Sequence, residues 1–304
     1  MRGMLSDLIA GSAERDDRFV ALSGDHGYAL FDAIRARRPA QFVNVGIMEQ
    51  ALVGIAAGLA KTGHRPLVYG LAAFVPLRVI EQIKMDVCYS RLPIVFIGDG
   101  AGLVYSTLGS SHQCAEDVAA LRALPYIRIY APCDDYELKA SFEEAMAYAG
   151  PAYIRVGKSD RPAVNTGPLR DTASYFTSRP DGVADTCIVS MGSMTAIGQV
   201  VASENKLPHL SVFRLKPLAE NTVALLAPFK RLIVIEEHSR YGGLTSSLTD
   251  AFVDKSVPVP RINVLSLQDH FAEHCGSYQY ALSEHNLSDS DVRERMRDIL
   301  KAQR

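Results

Sequence analysis

Val43-Asn44-Val45-Gly46-Ile47-Met48-Glu49-Gln50 runs directly into Ala51-Leu52-Val53-Gly54-Ile55-Ala56-Ala57-Gly58-Leu59-Ala60. A short run of β-type residues ends in a turn, and a helix opens with a carboxylate in its first turn. Gly54, Ala56, Ala57, Gly58 and Ala60 crowd that helix with small side chains. Glu49 admits two readings. An acidic residue at a helix start is favoured by the helix dipole wherever it occurs. A carboxyl group held in a dry pocket can instead hydrogen-bond a buried heterocycle, its proton affinity tuned for exchange. Taken alone, the stretch favours the first reading, and the rest of the chain has to decide.

Outward from this stretch, apolar runs alternate with helical patterns. The runs are Phe19–Leu22, Gln41–Val45, Pro66–Tyr69, Pro93–Ile97, Ile127–Tyr130 and Tyr153–Val156, and helical segments at Leu77–Tyr89, Ala115–Leu124 and Asp135–Ala149 separate several of them. Continuous apolar strands spaced by helices predict βα units and a parallel sheet covered on both faces. Ligands of such sheets sit at the carboxyl ends of strands. Three polar or glycine-rich turns follow strands there: Ser23–Gly27, Asn44–Glu49 and Gly98–His112. From about Gly157 to Asp185 the pattern breaks into polar, turn-rich sequence, as a linker does. A second series follows, with strands at Thr186–Met191, Leu210–Phe213, Leu232–Ile235 and Arg261–Val264 and a charged amphipathic helix from Asp289 to about Ala302. The fold class is therefore α/β, in two domains, each a mostly parallel sheet flanked by helices. The expected division is 1–165, a linker at 166–183, and 184–304.

The totals are consistent with this. A chain of 304 residues is long enough for two cores. With 48% hydrophobic and 22% charged residues and a formal net charge of −2, nothing suggests a nucleic-acid surface or a strong steering field. The N-terminal residues lack the apolar stretch of a signal peptide, and no run is long and apolar enough to span a bilayer. Cys88, Cys114, Cys133, Cys187 and Cys275 are scattered and never in Cys-x-x-Cys spacing, which argues for reduced thiols in a cytoplasmic setting.

Several motifs in one order carry a resemblance. Gly46–Gln50, the helix Leu52–Ala60, Phe74–Ile83, Gly109-Ser110-Ser111-His112-Gln113, Glu116–Pro125, Ala131-Pro132 and Gly150–Val156 together resemble the pyrimidine-binding domain of transketolases. Ile235–His238 and Tyr241–Leu244 look like that family's C-terminal domain. The resemblance implies a thiamine diphosphate-binding fold followed by a transketolase C-terminal domain. Full-length transketolases carry a further domain that binds the cofactor's diphosphate through a metal ion. This chain therefore resembles the second subunit of a split transketolase. The implied partner is the N-terminal, diphosphate-binding subunit, which brings Mg²⁺ or Ca²⁺, and the implied assembly is an α2β2 heterotetramer sharing thiamine diphosphate. Gly98-Asp99-Gly100 copies the family's metal motif, but the next Asn is Asn165, so it reads as a turn after a strand and no metal site is expected.

The resemblance also implies roles residue by residue. Glu49 matches the Glu that protonates N1′ of the pyrimidine, which makes the cofactor's own amino group basic enough to take the thiazolium C2 proton. Phe74 matches the ring on which the pyrimidine packs; a core Phe after a strand is the alternative. The upstream family aromatic is Leu71 here. His112 matches the His that faces the reactive carbon and shuttles a proton to substrate oxygens, and Gln113 reads as structural. Asp25 matches an Asp near the cofactor, with a turn-capping Asp as the alternative. Arg78 organises the pocket or pairs on the helix surface with Glu81.

The departures concern substrate. Ser106-Thr107-Leu108-Gly109 stands where the family shows Gly-Glu-Asp-Gly, so Leu108 replaces an Asp that recognises a substrate hydroxyl. Gly100 aligns with a second substrate-holding His, Lys158 with a phosphate-holding Arg, and Ala29 roughly with a phosphate-contacting Ser; Arg2 stands near another phosphate-contacting Arg. Losing an acceptor and gaining an apolar side chain removes discrimination for hydroxylated acceptors. The expected function is two-carbon ketol transfer from a ketose to an aldehyde acceptor with specialised substrates: deoxygenated, branched or weakly phosphorylated. A 2-oxo-acid decarboxylating subunit and a non-catalytic structural subunit are the alternatives. His270, His274 and Cys275 invite a zinc reading, but Asp269, Phe271 and Gly276 match a loop of the family's C-terminal domain, so no metal is expected there either.

Overall fold

The computed structural model describes residues 1–158, 160–169, 173–182 and 184–302. In the first half, strands β1 (Phe19–Ser23), β2 (Phe42–Asn44), β3 (Arg65–Leu71), β4 (Val95–Asp99), β5 (Arg128–Tyr130) and β6 (Ala152–Val156) are all parallel. Every residue of β1 and β6 is buried, as strands covered on both faces must be. The covering helices are α1 (Arg2–Arg15), α2 (Asp32–Arg37), α3 (Glu49–Lys61), α4 (Ile80–Gln82), α5 (Asp117–Arg122) and α6 (Asp135–Ala147). The second half carries β7 (Ser174–Ser178), β8 (Thr186–Ser190), α7 (Thr195–Glu204), β9 (His209–Val212), β10 (Arg214–Lys216), α8 (Thr222–Leu226), β11 (Arg231–Ser239), α9 (Leu244–Asp254), β12 (Arg261–Leu267), α10 (Tyr278–Glu284) and α11 (Asp289–Lys301).

The two sheets are ordered β10-β5-β6-β4-β3-β1-β2 and β12-β11-β8-β9-β7. Two strands depart from the expected division. β7 lies inside the expected 166–183 linker and pairs antiparallel with β9; Arg170, Asp171, Thr172 and Val183 of that linker fall outside the described residues. β10, from the second half, pairs antiparallel with β5 of the first sheet. An edge strand leaves a row of unpaired backbone groups, and β10 satisfies those of β5. Buried Glu137 of α6 accepts from Ser211 and Tyr175 hydroxyls, both at 2.7 Å, which ties the halves again.

The expected helix at 77–89 is helical but not uniform. A 3-10 turn (Leu77–Val79) leads through α4 into a π-helix (Ile83–Cys88). Val79, Ile83 and Val87, all at 0% exposure, recur at every fourth residue. Residues four apart lie on one helix face, so the segment presents this series to the core despite its changes of helix type.

Candidate active site

The carboxyl ends of β1 and β2 meet at two turns. Asn44 links them: its side-chain oxygen accepts from the Asp25 and Gly46 backbone N–H groups at 3.2 and 2.9 Å, and its amide donates to Asp25 Oδ1 at 3.2 Å. Gly46 at φ +76° then turns the chain into α3, whose first residue is Glu49. The small residues of α3 divide by face. Ala56, Ala57 and Ala60 are buried, whereas Gly54 and Gly58 face outward.

Glu49 is buried at 7% exposure, at the positive end of the α3 dipole. Arg78 Nη1 donates to Glu49 Oε1 at 3.1 Å, so of the two arrangements open to Arg78 the structure shows the pocket one. The Arg78 guanidinium carbon lies 4.1 Å from the Phe74 ring centroid. With Arg78 half exposed, the ion pair and the ring contact each contribute on the order of 1 kcal/mol or less, so their effect is chiefly to fix orientation. The Phe74 ring in turn meets His112 at 5.3 Å and His26 at 5.8 Å, both edge-on. Glu49, Arg78, Phe74 and His112, distant in sequence, thus form one contiguous array. A narrow crevice beside it is lined by Gly24, His26, Glu49, Leu52, Tyr69 and Phe74, among others. A buried carboxyl next to a half-exposed aromatic face suits a flat heterocycle with a ring nitrogen.

His112 lies in a closed loop. Gly102 and Cys114 exchange backbone hydrogen bonds at 2.7 and 2.8 Å, which closes residues 103–113 into a loop. The second half pins its stem: Leu103 N–H donates to buried Glu237 at 2.6 Å, and Glu237 also receives the Ser193 and Tyr278 hydroxyls. A Cβ on Gly102, at φ +74°, would come within 2.2 Å of Glu237 Oε1, so only glycine allows this approach. Next to the stem, the buried Arg155–Asp117 pair holds at 3.0 Å, and Arg155 also donates to the Glu237 carbonyl at 2.7 Å.

Residues 1–162 match the family described as transketolase, pyrimidine binding domain, more than half of the chain. The chain belongs to the transketolase family. It is 30% identical over 305 residues to the 6-deoxy-6-sulfo-D-fructose transketolase subunit SqwH of Clostridium sp. (strain MSTE9), covering 96% of this chain and 92% of that one. It is 33% identical over 276 residues to a 1-deoxy-D-xylulose-5-phosphate synthase of Lawsonia intracellularis, where it spans 42% of the synthase's length. A solved structure described as "Split gene transketolase, inactive beta4 tetramer" superposes with a TM-score of 0.85 at 26% identity, covering 100% of this chain and 98% of that one.

The remaining transketolase positions divide. Asp25 is exposed, at φ +65°, and engaged with Asn44. Leu108 is 52% exposed on the His112 loop. Arg2 reaches the Tyr28 carbonyl and lies 3.9 Å from Asp99. Lys158 lies 3.6 Å from Asp160 and 5.9 Å from the Tyr278 ring. Asp99, the acid of the metal-like Gly98–Gly100 motif, instead accepts the Tyr69 and Tyr105 hydroxyls at 2.6 and 3.3 Å. Burial and Asp99 push the Tyr105 phenol up to about 12. His270 stacks on His285 with centroids 4.6 Å apart. Among the described residues no group of three or more His, Cys, Asp or Glu is placed to hold a metal ion, and no helix is long and apolar enough to cross a membrane.

Two residues escaped the sequence reading. His26 sat in a quoted turn without distinction, and only its ring edge on Phe74 marks it. Tyr105 fills the space over Gly100, where a Cβ would come within 1.9 Å of its ring. The signal available was Gly100 itself: a missing side chain invites a neighbour to occupy its volume.

Proposed function

We propose that the chain is the pyrimidine-side subunit of a thiamine diphosphate-dependent transketolase that moves a two-carbon ketol unit from a ketose to an aldehyde acceptor. The single observation that carries this is the contiguous Glu49–Arg78–Phe74–His112 array at the strand ends. When bound, thiamine diphosphate supplies a stabilised carbanion equivalent, which no side chain can provide. Glu49 holds a proton at the pyrimidine N1′, with Arg78 fixing one carboxylate oxygen. Phe74 presents a flat surface to the ring, and such packing contributes about 0.5–1.5 kcal/mol beyond burial. His112, held by its closed loop against Phe74, moves protons to and from the substrate oxygen. Asp25 follows β1, Leu108 sits on the His112 loop after β4 and Lys158 follows β6, so these three come from the carboxyl-end side of the sheet that carries the array; with Arg2, they are the proposed substrate-side residues. With Arg2 beside Asp99 and Lys158 beside Asp160, both cations are partly neutralised, which favours weakly phosphorylated substrates. Leu108 favours an acceptor lacking a hydroxyl at the matching carbon.

The diphosphate end is different. Asp99 engages two phenols through Oδ2, and among the described residues no set of acidic, His or Cys side chains joins it to hold a metal. The Gly98–Gly100 turn therefore does not suit one, and Mg²⁺ or Ca²⁺ falls to a diphosphate-binding partner subunit. The exposed face of α3 around Gly54, Ile55 and Gly58, with exposed Ile47 and Met48 before it, supports close association beside Glu49. An α2β2 assembly follows from that reading.

The test is reconstitution with the diphosphate-binding subunit, followed by a donor–acceptor screen. Ketol transfer dependent on both subunits is expected. The likeness to the synthase favours a second reading, decarboxylation of a 2-oxo acid, and CO₂ release from pyruvate without ketol transfer would establish that reading instead.

A further inference from the structure

Strands β11 and β12 run parallel, and Ser239 at the end of one pairs with Leu267 at the end of the other. Parallel sheets open their ligand crevices at such carboxyl ends. Here a cavity of about 360 Å³ lies between those ends and the back of the 103–113 loop. Leu103 and Leu267 give it an apolar floor.

Among the described residues, two donors of side chains lining it lack protein acceptors. Gln113 Nε2 is buried and unpartnered. His285, 3% exposed, accepts the Gln268 N–H on Nδ1 at 3.2 Å, which leaves its proton on Nε2. Among the described residues nothing accepts that proton. Burial, together with the His270 ring stacked on it, lowers the imidazole's proton affinity, so it stays neutral. The Gln113 donor is buried and unmet, which is costly, and the His285 Nε2 proton is free to donate, so this wall suits an acceptor. The opposite requirement comes from Glu116 and Asp269, which also line the cavity. Glu116 Oε2 takes the Ala115 N–H at 2.6 Å, leaving Oε1 to accept from a ligand. Two carboxylates disfavour an anion such as a phosphate ester. Hydroxyl groups meet both demands, since each accepts and donates. The Phe271 ring, 82% exposed at the rim, offers a face for a ligand's C–H surface.

We propose that this cavity binds a small neutral polyol and that the occupant braces the loop carrying His112. Among the described residues, two long hydrogen bonds hold the loop's middle to the second half, Ser110 Oγ to the Ala272 carbonyl at 3.4 Å and Gly276 N–H to the Ser106 carbonyl at 3.3 Å. Ligand contacts at Gln113 and Leu103 add to them. Binding stands on the cavity alone. Any consequence for turnover rests on the catalytic reading of His112.

The test titrates the full chain with ribitol, with inorganic phosphate and glycine in parallel, by calorimetry and by the ¹⁵N signals of the imidazoles. Saturable millimolar ribitol binding is expected, with a shift at His285 and slowed amide exchange over residues 106–113. Gln113→Leu should weaken binding about tenfold. Gln268→Trp, which fills the cavity from the other wall, should abolish it, and His112→Ala should leave it intact. The unmodified chain decides where a variant fails to fold: an unmoved His285 signal, or unchanged exchange at saturation, overturns the proposal. Loss of ribitol binding in His112→Ala also overturns it, by placing the ligand at the catalytic end, as does binding of phosphate or glycine in place of ribitol.

Discussion

Nη1 of Arg78 lies 3.1 Å from Oε1 of Glu49, while the same guanidinium stands over the Phe74 ring. Among the described residues Glu49 Oε2 receives no hydrogen bond, so one oxygen is anchored and the other is left for a ligand. A carboxyl arranged this way is oriented as well as buried.

Glu49→Gln separates orientation from proton supply. The amide oxygen still accepts from Arg78, but the side chain has no proton to exchange. Turnover of the two-subunit enzyme should fall by about 10²- to 10⁴-fold, the range for loss of a general acid–base group, with the chain's melting temperature little changed. Unaltered turnover would remove Glu49 from the chemistry.

Leu108→Asp tests acceptor specificity. It places a charged acceptor on the His112 loop at an exposed position, where folding tolerates it. For a hydroxylated acceptor, kcat/KM should rise about 10- to 100-fold, as a charge-assisted hydrogen bond allows, and it should fall for a deoxygenated one. Identical acceptor preference in both enzymes would exclude Leu108 from recognition.

Glu237→Ala addresses the clamp between the halves. The substitution leaves Leu103 N–H and the Ser193 and Tyr278 hydroxyls without their acceptor. About 3 kcal/mol or more of stability should be lost, together with faster hydrogen exchange across residues 103–113. Urea unfolding measures the first. A loss below about 1 kcal/mol would mean that water replaces the carboxylate, which its 1% exposure argues against.

Acid should weaken the second half through buried His209. Burial depresses its pKa to about 3, while it accepts or donates bonds to Ser190 and Thr177 at 2.7 and 2.5 Å. Because the unfolded chain binds the proton first, stability is full above the unfolded value of about 6.5 and declines as pH falls toward 3, by about 1.4 kcal/mol per unit. Burial also depresses His238, to about 4, in the same direction. Burial raises the Glu137 and Glu236 carboxyls, which contributes the opposite slope above about pH 4.5. Comparison with His209→Gln isolates the histidine: the variant's stability should depend less on pH between 6.5 and 4. Equal slopes would show that His209 is solvated before global unfolding.

The strand–helix alternation and the ordered motifs around Glu49, Phe74 and His112 were legible in the residues. Apolar period, turn glycines and helix starts are properties of neighbours in the chain, and they determined the α/β class and the members of the array. What escaped were choices among partners. Three residues, Arg214–Lys216, have no strand signal of their own, and they join the first sheet because β5 has an open edge. Ser174–Ser178 reads as linker until β9 offers it a ladder. Arg78 had Glu81 three residues away in sequence, and only the approach of α3 supplies Glu49 instead. Glu237 is only one residue of the Ile235–His238 motif until the loop at Gly102 closes on it. The sequence by itself thus determined which side chains are the candidates for chemistry. The tertiary structure alone decided which of them meet, because hydrogen bonds and packing are short-ranged in space and indifferent to separation along the chain.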